Sequence, residues 1–291
     1  MKKQNKIFQV ILCVILSVLC LAIIFPFWLL VSTSLTSPAA LVEGYQVIPN
    51  PVDWGAYEFV FASPDAILQA YKVTFLFSIL YMFLSVLLMA MCAYPLARKK
   101  LKGRSAISFY LYFTSLFSGG LVPTYLLLAK TFHLNDTFWI YLVIGLISPW
   151  YVFMMRTFFQ GIPEEIIESA TIDGASEYTI FFRMIIPLSK PVIASIALFM
   201  FLARWNEWNI PLIYITDPDL YSLQYLLQKM MRDLDLMKQM AQMGISNVEM
   251  NVPGETIRMA MAVVVAGPAL LVFPFFQKYF VKGLTVGSVK G

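Results

Sequence analysis

Gly161-Ile162-Pro163-Glu164-Glu165-Ile166-Ile167-Glu168-Ser169-Ala170-Thr171-Ile172-Asp173-Gly174-Ala175-Ser176-Glu177-Tyr178 is a polar passage between long apolar runs. Pro163 stands near a first helical position, and Glu164, Glu165 and Glu168 follow within two turns. A proline there loses no needed amide bond, and early acids suit the positive end of a helix dipole. Asp173-Gly174 reads as a stop, because glycine accepts the left-handed backbone that ends helices. Ser176 is placed to cap a second helix running toward Ile186, and Pro187 to break its approach to the next apolar run. The loop 160–190 is therefore expected to be a helix–turn–helix.

Outward from this loop the chain is apolar. Of its 291 residues 59% are hydrophobic and 13% are charged, about half the charged share of a soluble domain. So few charges cannot coat a water-soluble surface, so most of that surface is expected to face membrane lipid. Six runs reach the roughly 20 residues a span needs: 7–31, 71–97, 106–130, 137–158, 191–215 and 257–281. The expectation is an all-α membrane protein with one transmembrane domain over 1–291. The first run is too long for a signal-peptide core and reads as a retained span.

Lys and Arg in short flanks set the orientation. Lys2, Lys3 and Lys6, then Arg98, Lys99, Lys100, Lys102 and Arg104, then Lys278, Lys282 and Lys290 fall at alternate turns. That places both termini and the loop 160–190 in the cytoplasm. The acidic first loop, with Glu43, Asp53, Glu58 and Asp65, and the loop 216–255 then lie outside. In the latter, Leu223, Leu226, Leu227, Met230, Met231 and Leu234 recur at helical spacing. This stretch is either a helix lying on the membrane or the contact for an external partner. The net charge of +4 comes from these flanks, and no basic domain for nucleic acid is present. Cys13, Cys20 and Cys92 sit in apolar runs and read as packing residues, and the single histidine, His133, cannot build a multi-histidine metal site.

Glu168-Ser169-Ala170, three residues, Gly174, nine residues and Met184-Ile185-Ile186-Pro187 resemble the cytoplasmic loop signature of ABC importer permeases. The signature runs Glu-Ala-Ala, three residues, Gly, nine residues, Ile, any residue, Leu, Pro. Glu168, Ala170, Gly174 and Pro187 match it; Ser169, Met184 and Ile186 depart by small or apolar exchanges. Further resemblance narrows to the oligosaccharide branch, of the maltose-permease type. It lies in Ala93-Tyr94-Pro95-Leu96-Ala97-Arg98, Gly120-Leu121-Val122-Pro123-Thr124, Trp205-Asn206-Glu207 and the ending Phe280 to Gly291.

The resemblance implies a six-span type I importer permease in the bacterial cell membrane. It pairs with a second, homologous permease, two ATP-binding subunits and an external solute-binding protein, and imports a sugar, an oligosaccharide by family. It implies that the loop, with Glu164, Glu165, Glu168, Ser169, Ala170, Asp173, Gly174 and Pro187, couples to the ATPase. The tail Gly287, Ser288, Val289, Lys290 and Gly291 is implied to touch it too. ATP and magnesium belong to the partner subunits, and no catalytic, cofactor or metal residue is expected here: the chain has no GxxxxGK[ST] phosphate loop.

One segment places charge inside a span. Arg204 and Glu207 are three residues apart and can pair, with Trp205, Asn206, Trp208 and Asn209 around them. Ionisable groups in a span mark a pathway or a buried partner. The segment is thus a candidate sugar-path wall, a polar lock between permeases, or a snorkelling pair near the span end. An ion-coupled secondary transporter is the rival reading; it needs midplane carboxylates, and only Glu207 qualifies.

Overall fold

The computed structural model describes residues 2–243 and 254–287. Fifteen helical segments follow in order among them: α1 (Lys2–Ser34), α2 (Pro38–Val42), α3 (Gly55–Val60), α4 (Pro64–Ala97), α5 (Arg104–Leu116), α6 (Leu121–Tyr125), α7 (Ile140–Val143), α8 (Pro149–Gln160), α9 (Glu164–Ile172), α10 (Glu177–Ile180), α11 (Ile186–Leu188), α12 (Lys190–Trp205), α13 (Asn209–Tyr214), α14 (Leu223–Gln242) and α15 (Gly254–Gly287). Wider π turns extend α6 through Leu126–Thr131 and join α10 to α11 through Phe181–Ile185. No strand occurs among the described residues; a single antiparallel bridge joins Thr36 and Val52.

Internal contacts divide the chain into two units. One comprises residues 1–67 and 227–268, the other 68–226 and 269–291. In the first, the end of α1 is tied down by polar contacts rather than apolar packing. Ser32 donates to the Gln46 carbonyl (2.7 Å), Thr36 to that of Ser32 (2.8 Å), and the Asp53 amide to that of Leu35 (2.9 Å). From Phe8 to Trp28 α1 is exposed and mostly apolar, Cys13 and Cys20 included, so these cysteines do not pack in a core. The second unit has an apolar core around Phe77 and Tyr141, whose rings stack at 4.2 Å, with Met155, Ile185 and Ile196 fully buried.

Among the described residues two helices are long and apolar enough to cross a membrane, 8–34 and 64–97, or up to four segments if each of two bent pairs is one span. The expected runs 7–31, 71–97 and 257–281 lie in the unbroken helices α1, α4 and α15. The expected run 106–130 bends by 110° between α5 and the α6 segment. Phe117 there is extended, and Gly120 adopts φ +85°, ψ 177°, a conformation open chiefly to glycine. The expected run 137–158 is not one helix: the chain leaves α7 at Ile144, passes through an extended Ser148 and restarts at Pro149.

Three side chains from distant elements compensate that break. Arg204 donates to the Ile144 carbonyl, Tyr81 to that of Gly145, and Ser85 to that of Leu146 at 2.6 Å. Every backbone group freed inside a span needs such a partner. The run 191–215 is likewise interrupted, from Asn206 to Trp208.

A loop outside the spans supplies a pH prediction. Asp136, at φ +50°, accepts from the amide and hydroxyl of Thr216 and from the Asp217 amide (3.0 Å). These donors, the Thr216 amide foremost, hold its carboxyl below the ordinary range. A depressed folded value means the contribution is complete above the unfolded carboxylate range and is lost as pH falls through the folded value. Asp136→Ala is expected to melt below the parent at neutral pH in detergent, and the gap to close as pH falls into the acid range. A gap that does not change with pH refutes the assignment.

Candidate functional site: the hairpin after α8 and the interrupted fifth run

The hairpin forms as its residues dictate. α9 begins directly after Pro163 and ends at Asp173, and Gly174 follows at φ +82°. Ser176, extended, accepts from the Thr179 amide at 3.3 Å and caps α10. Ile167, Ala170 and Ile180 are buried against the core, while Glu165, Glu168, Ser169, Asp173 and Gly174 are exposed. Ile172 and Tyr178 are 86% and 73% exposed, so an apolar tip projects from an acidic hairpin.

Pro187 does not itself stop the helix as expected. It lies inside α11, and the 81° bend falls at Ser189, just beyond it. A proline ring crowds the carbonyl four residues back, here that of Arg183. The wider π turn at Phe181–Ile185 surrounds that carbonyl.

The acidic side of the hairpin faces the basic turn, 98–100, that follows α4. Lys99 lies 3.7 Å from Glu164, Lys100 lies 3.5 Å from Glu168, and Arg98 lies 3.8 Å from Glu177, which also accepts from Tyr94. All three ion pairs are long and at least half open to solvent on one side, so each is worth at most about 1 kcal/mol. They steer the hairpin rather than fasten it. Lys99 and Lys100 were legible in the sequence only as a topology signal, and Arg98 as that and as part of a family resemblance; their role as partners of the hairpin needed the fold.

The segment 204–209 is divided between interior and surface. The Arg204 side chain is 7% exposed; it pairs with Glu207 at 2.8 Å and lies over the Tyr81 ring at 3.9 Å. The other carboxylate oxygen of Glu207 accepts the Asn209 and Ile210 amides at 2.9 and 3.0 Å, satisfying the start of α13. The Glu207 carbonyl accepts from Ser222 at 2.6 Å. Trp205 is buried against Phe201, with ring centroids 5.7 Å apart. Asn206, Trp208 and Asn209 are exposed. The break between α12 and α13 means that Trp205 does not share one continuous helix face with Trp208, Asn209 and Leu212. Tyr81, whose ring lies under the Arg204 guanidinium, carried no signal in the sequence.

α14 realises the amphipathic stretch as 20 helical residues, with Leu223, Leu227 and Leu234 buried. Met230 and Met231 are half-buried, whereas Leu236, Met237, Met240 and Met243 are exposed. In the tail, Gly287 ends α15; Ser288, Val289, Lys290 and Gly291 lie outside the described residues. Among the described residues no cluster of three or more His, Cys, Asp or Glu could hold a metal.

Residues 2–286 match the family described as binding-protein-dependent transport system inner membrane component. The chain belongs to that family. It is 34% identical to the polygalacturonan/rhamnogalacturonan transport system permease protein YtcP of Bacillus subtilis, over 99% of this chain and all of the relative. It is also 34% identical to protein LplC of the same organism, over 99% of this chain and 97% of the relative. In structure it is similar to a chain of a bacterial ABC transporter involved in the import of the acidic polysaccharide alginate. That match has a TM-score of 0.77 and 26% identity, and covers 95% of this chain and 98% of that one. An all-α importer permease in a membrane is thereby the architecture of this family member, with a partner permease, an ATPase and a binding protein in general terms. The family does not fit the ion-coupled transporter reading. The carboxylate that reading relied on, Glu207, is engaged by Arg204 and two amides.

Proposed function

We propose that this chain is one permease of a heterodimeric pair that carries an oligosaccharide across a bacterial cell membrane. Two separate ATP-binding subunits drive it, and an external binding protein delivers the sugar. Six spans place both termini and the hairpin in the cytoplasm, and one transmembrane domain covers 1–291. No catalysis occurs in this chain; ATP and magnesium are held by the partners.

The observation that carries this reading is the exposed apolar tip of the hairpin, Ile172 and Tyr178, beside acids that this chain's own lysines only loosely engage. Two large apolar side chains held open on one short water-facing hairpin suit a surface that a partner covers. The ATPase is that partner, with Glu164, Glu165, Glu168, Ser169, Asp173 and Gly174 at the contact, Ala170 and Pro187 shaping it, and the tail 287–291 adding to it. Of the segment 204–209, Asn206, Trp208 and Asn209 are open to solute, while Arg204, Trp205 and Glu207 hold the wall in shape. The acidic polymers named for the relatives make oligogalacturonides the first sugars to try.

The test is uptake by proteoliposomes holding the permease pair and ATPase. Uptake should require internal ATP and the external binding protein; uptake without either refutes the reading. Met237→Asp with Met240→Asp on α14 should lower binding-protein-stimulated ATP hydrolysis with the complex intact. Full stimulation would leave α14 as a surface helix only.

A further inference from the structure

The 110° break in the third run exposes backbone at a depth where lipid cannot satisfy it. Positions 117–120 fall at the middle of the apolar run 106–130, so in the proposed topology the break, whether of a broken span or of a re-entrant one, lies inside the bilayer. Because the chain is extended from Phe117, the last carbonyls of α5 lack the amides that would lie four residues ahead. Residues 117–122 are all exposed in this chain. Irregular backbone at that depth persists only where protein buries it or a water-filled path runs beside it.

One face of α5 leads to that break. Phe109, Phe113 and Phe117 are spaced four residues apart and are 65%, 44% and 64% exposed. Their successive ring centroids are 6.2 and 4.5 Å apart. The opposite side of the helix is the side that rests on α8, where Arg156 donates to Ser108 at 3.1 Å. No charged residue occurs from Ser105 to Ala129. The result is an uncharged aromatic ladder ending in open carbonyls and the hydroxyl of Ser118.

We propose that this ladder and the break at 117–120 form a sugar-contact surface of the translocation path, taking the pyranose rings of the transported oligosaccharide. The apolar face of each ring lies on a phenylalanine, and its hydroxyls donate to the carbonyls at the break. Aromatic contacts without charge hold a sugar weakly enough for it to move on. The proposal rests on the function argued above and supplies the sugar contacts that Arg204 and Glu207, occupied by their own chain, do not.

In proteoliposomes containing both permeases and the ATPase, with binding protein and an oligogalacturonide probe, Phe117→Ala should lower uptake about three- to tenfold. Phe117→Tyr should keep it. In a background without Cys13, Cys20 and Cys92, Phe117→Cys in the assembled complex should react with a water-soluble maleimide, and the sugar with binding protein and ATP should protect it. Undiminished uptake in Phe117→Ala overturns the ladder alone. So does loss of the partner permease on purification, which makes the face an interface, or labelling only by lipid-soluble reagents. A wild-type complex without ATP-driven uptake overturns the functional reading and this proposal with it.

Discussion

Arg204→Met is expected to destabilise the protein by about 3–5 kcal/mol, the cost of leaving one partner of a buried pair alone. The substitution strands the Glu207 carboxylate, removes the donor to the Ile144 carbonyl and clears the cation from the Tyr81 ring. Glu207→Gln should cost less, because an amide oxygen still accepts from the Asn209 and Ile210 amides. The double variant should recover part of the loss, since neither charge is then stranded. Unfolding by denaturing detergent, read as a double-mutant cycle, measures this. Additive losses would show that the two side chains act separately and that no lock exists. A pathway role predicts a different outcome: Arg204→Met would keep wild-type stability and lose transport.

Gly174→Val is expected to abolish uptake while the protein still inserts and is expressed. At φ +82° a β-branched residue is strained by roughly 1–3 kcal/mol. A Cβ there meets no neighbour within 4 Å, so the cost is backbone strain and not collision. The turn must therefore rearrange, which redirects α9 at the proposed ATPase contact. Glu168→Lys tests the same contact by charge. Its pairing with Lys100 spans 3.5 Å between half-exposed groups, so losing it within this chain costs about 1 kcal/mol or less. A fall in uptake of an order of magnitude then reports a partner contact. Adding Lys100→Glu restores the internal pair with reversed signs. If that restores uptake, Glu168 acts only inside this chain. If both single variants retain the ATPase and transport at parent rates, the hairpin is not the coupling element.

The sequence by itself determined what depends on neighbours a few residues apart. The hairpin is such a case: Pro163 before α9, Asp173-Gly174 as its stop and Ser176 as the next cap are all visible because capping is settled within one turn. The helical stripe of α14 was legible for the same reason, its period carrying the information. The Arg204–Glu207 pair was readable from its spacing, although its choice between pathway and lock was not.

Tertiary structure decided where the apolar runs break. Hydropathy over 137–158 looks continuous, yet the chain abandons the helix at Ile144 because Arg204, Tyr81 and Ser85, some sixty residues away in sequence, take its carbonyls. A helix can be surrendered inside a span only when other groups replace its hydrogen bonds, and a sequence does not show which distant side chains will arrive. The same limit hid the meeting of Lys99 and Lys100 with the hairpin glutamates. Local capping and periodicity are written in the chain, whereas the satisfaction of freed backbone groups is settled only when the helices pack.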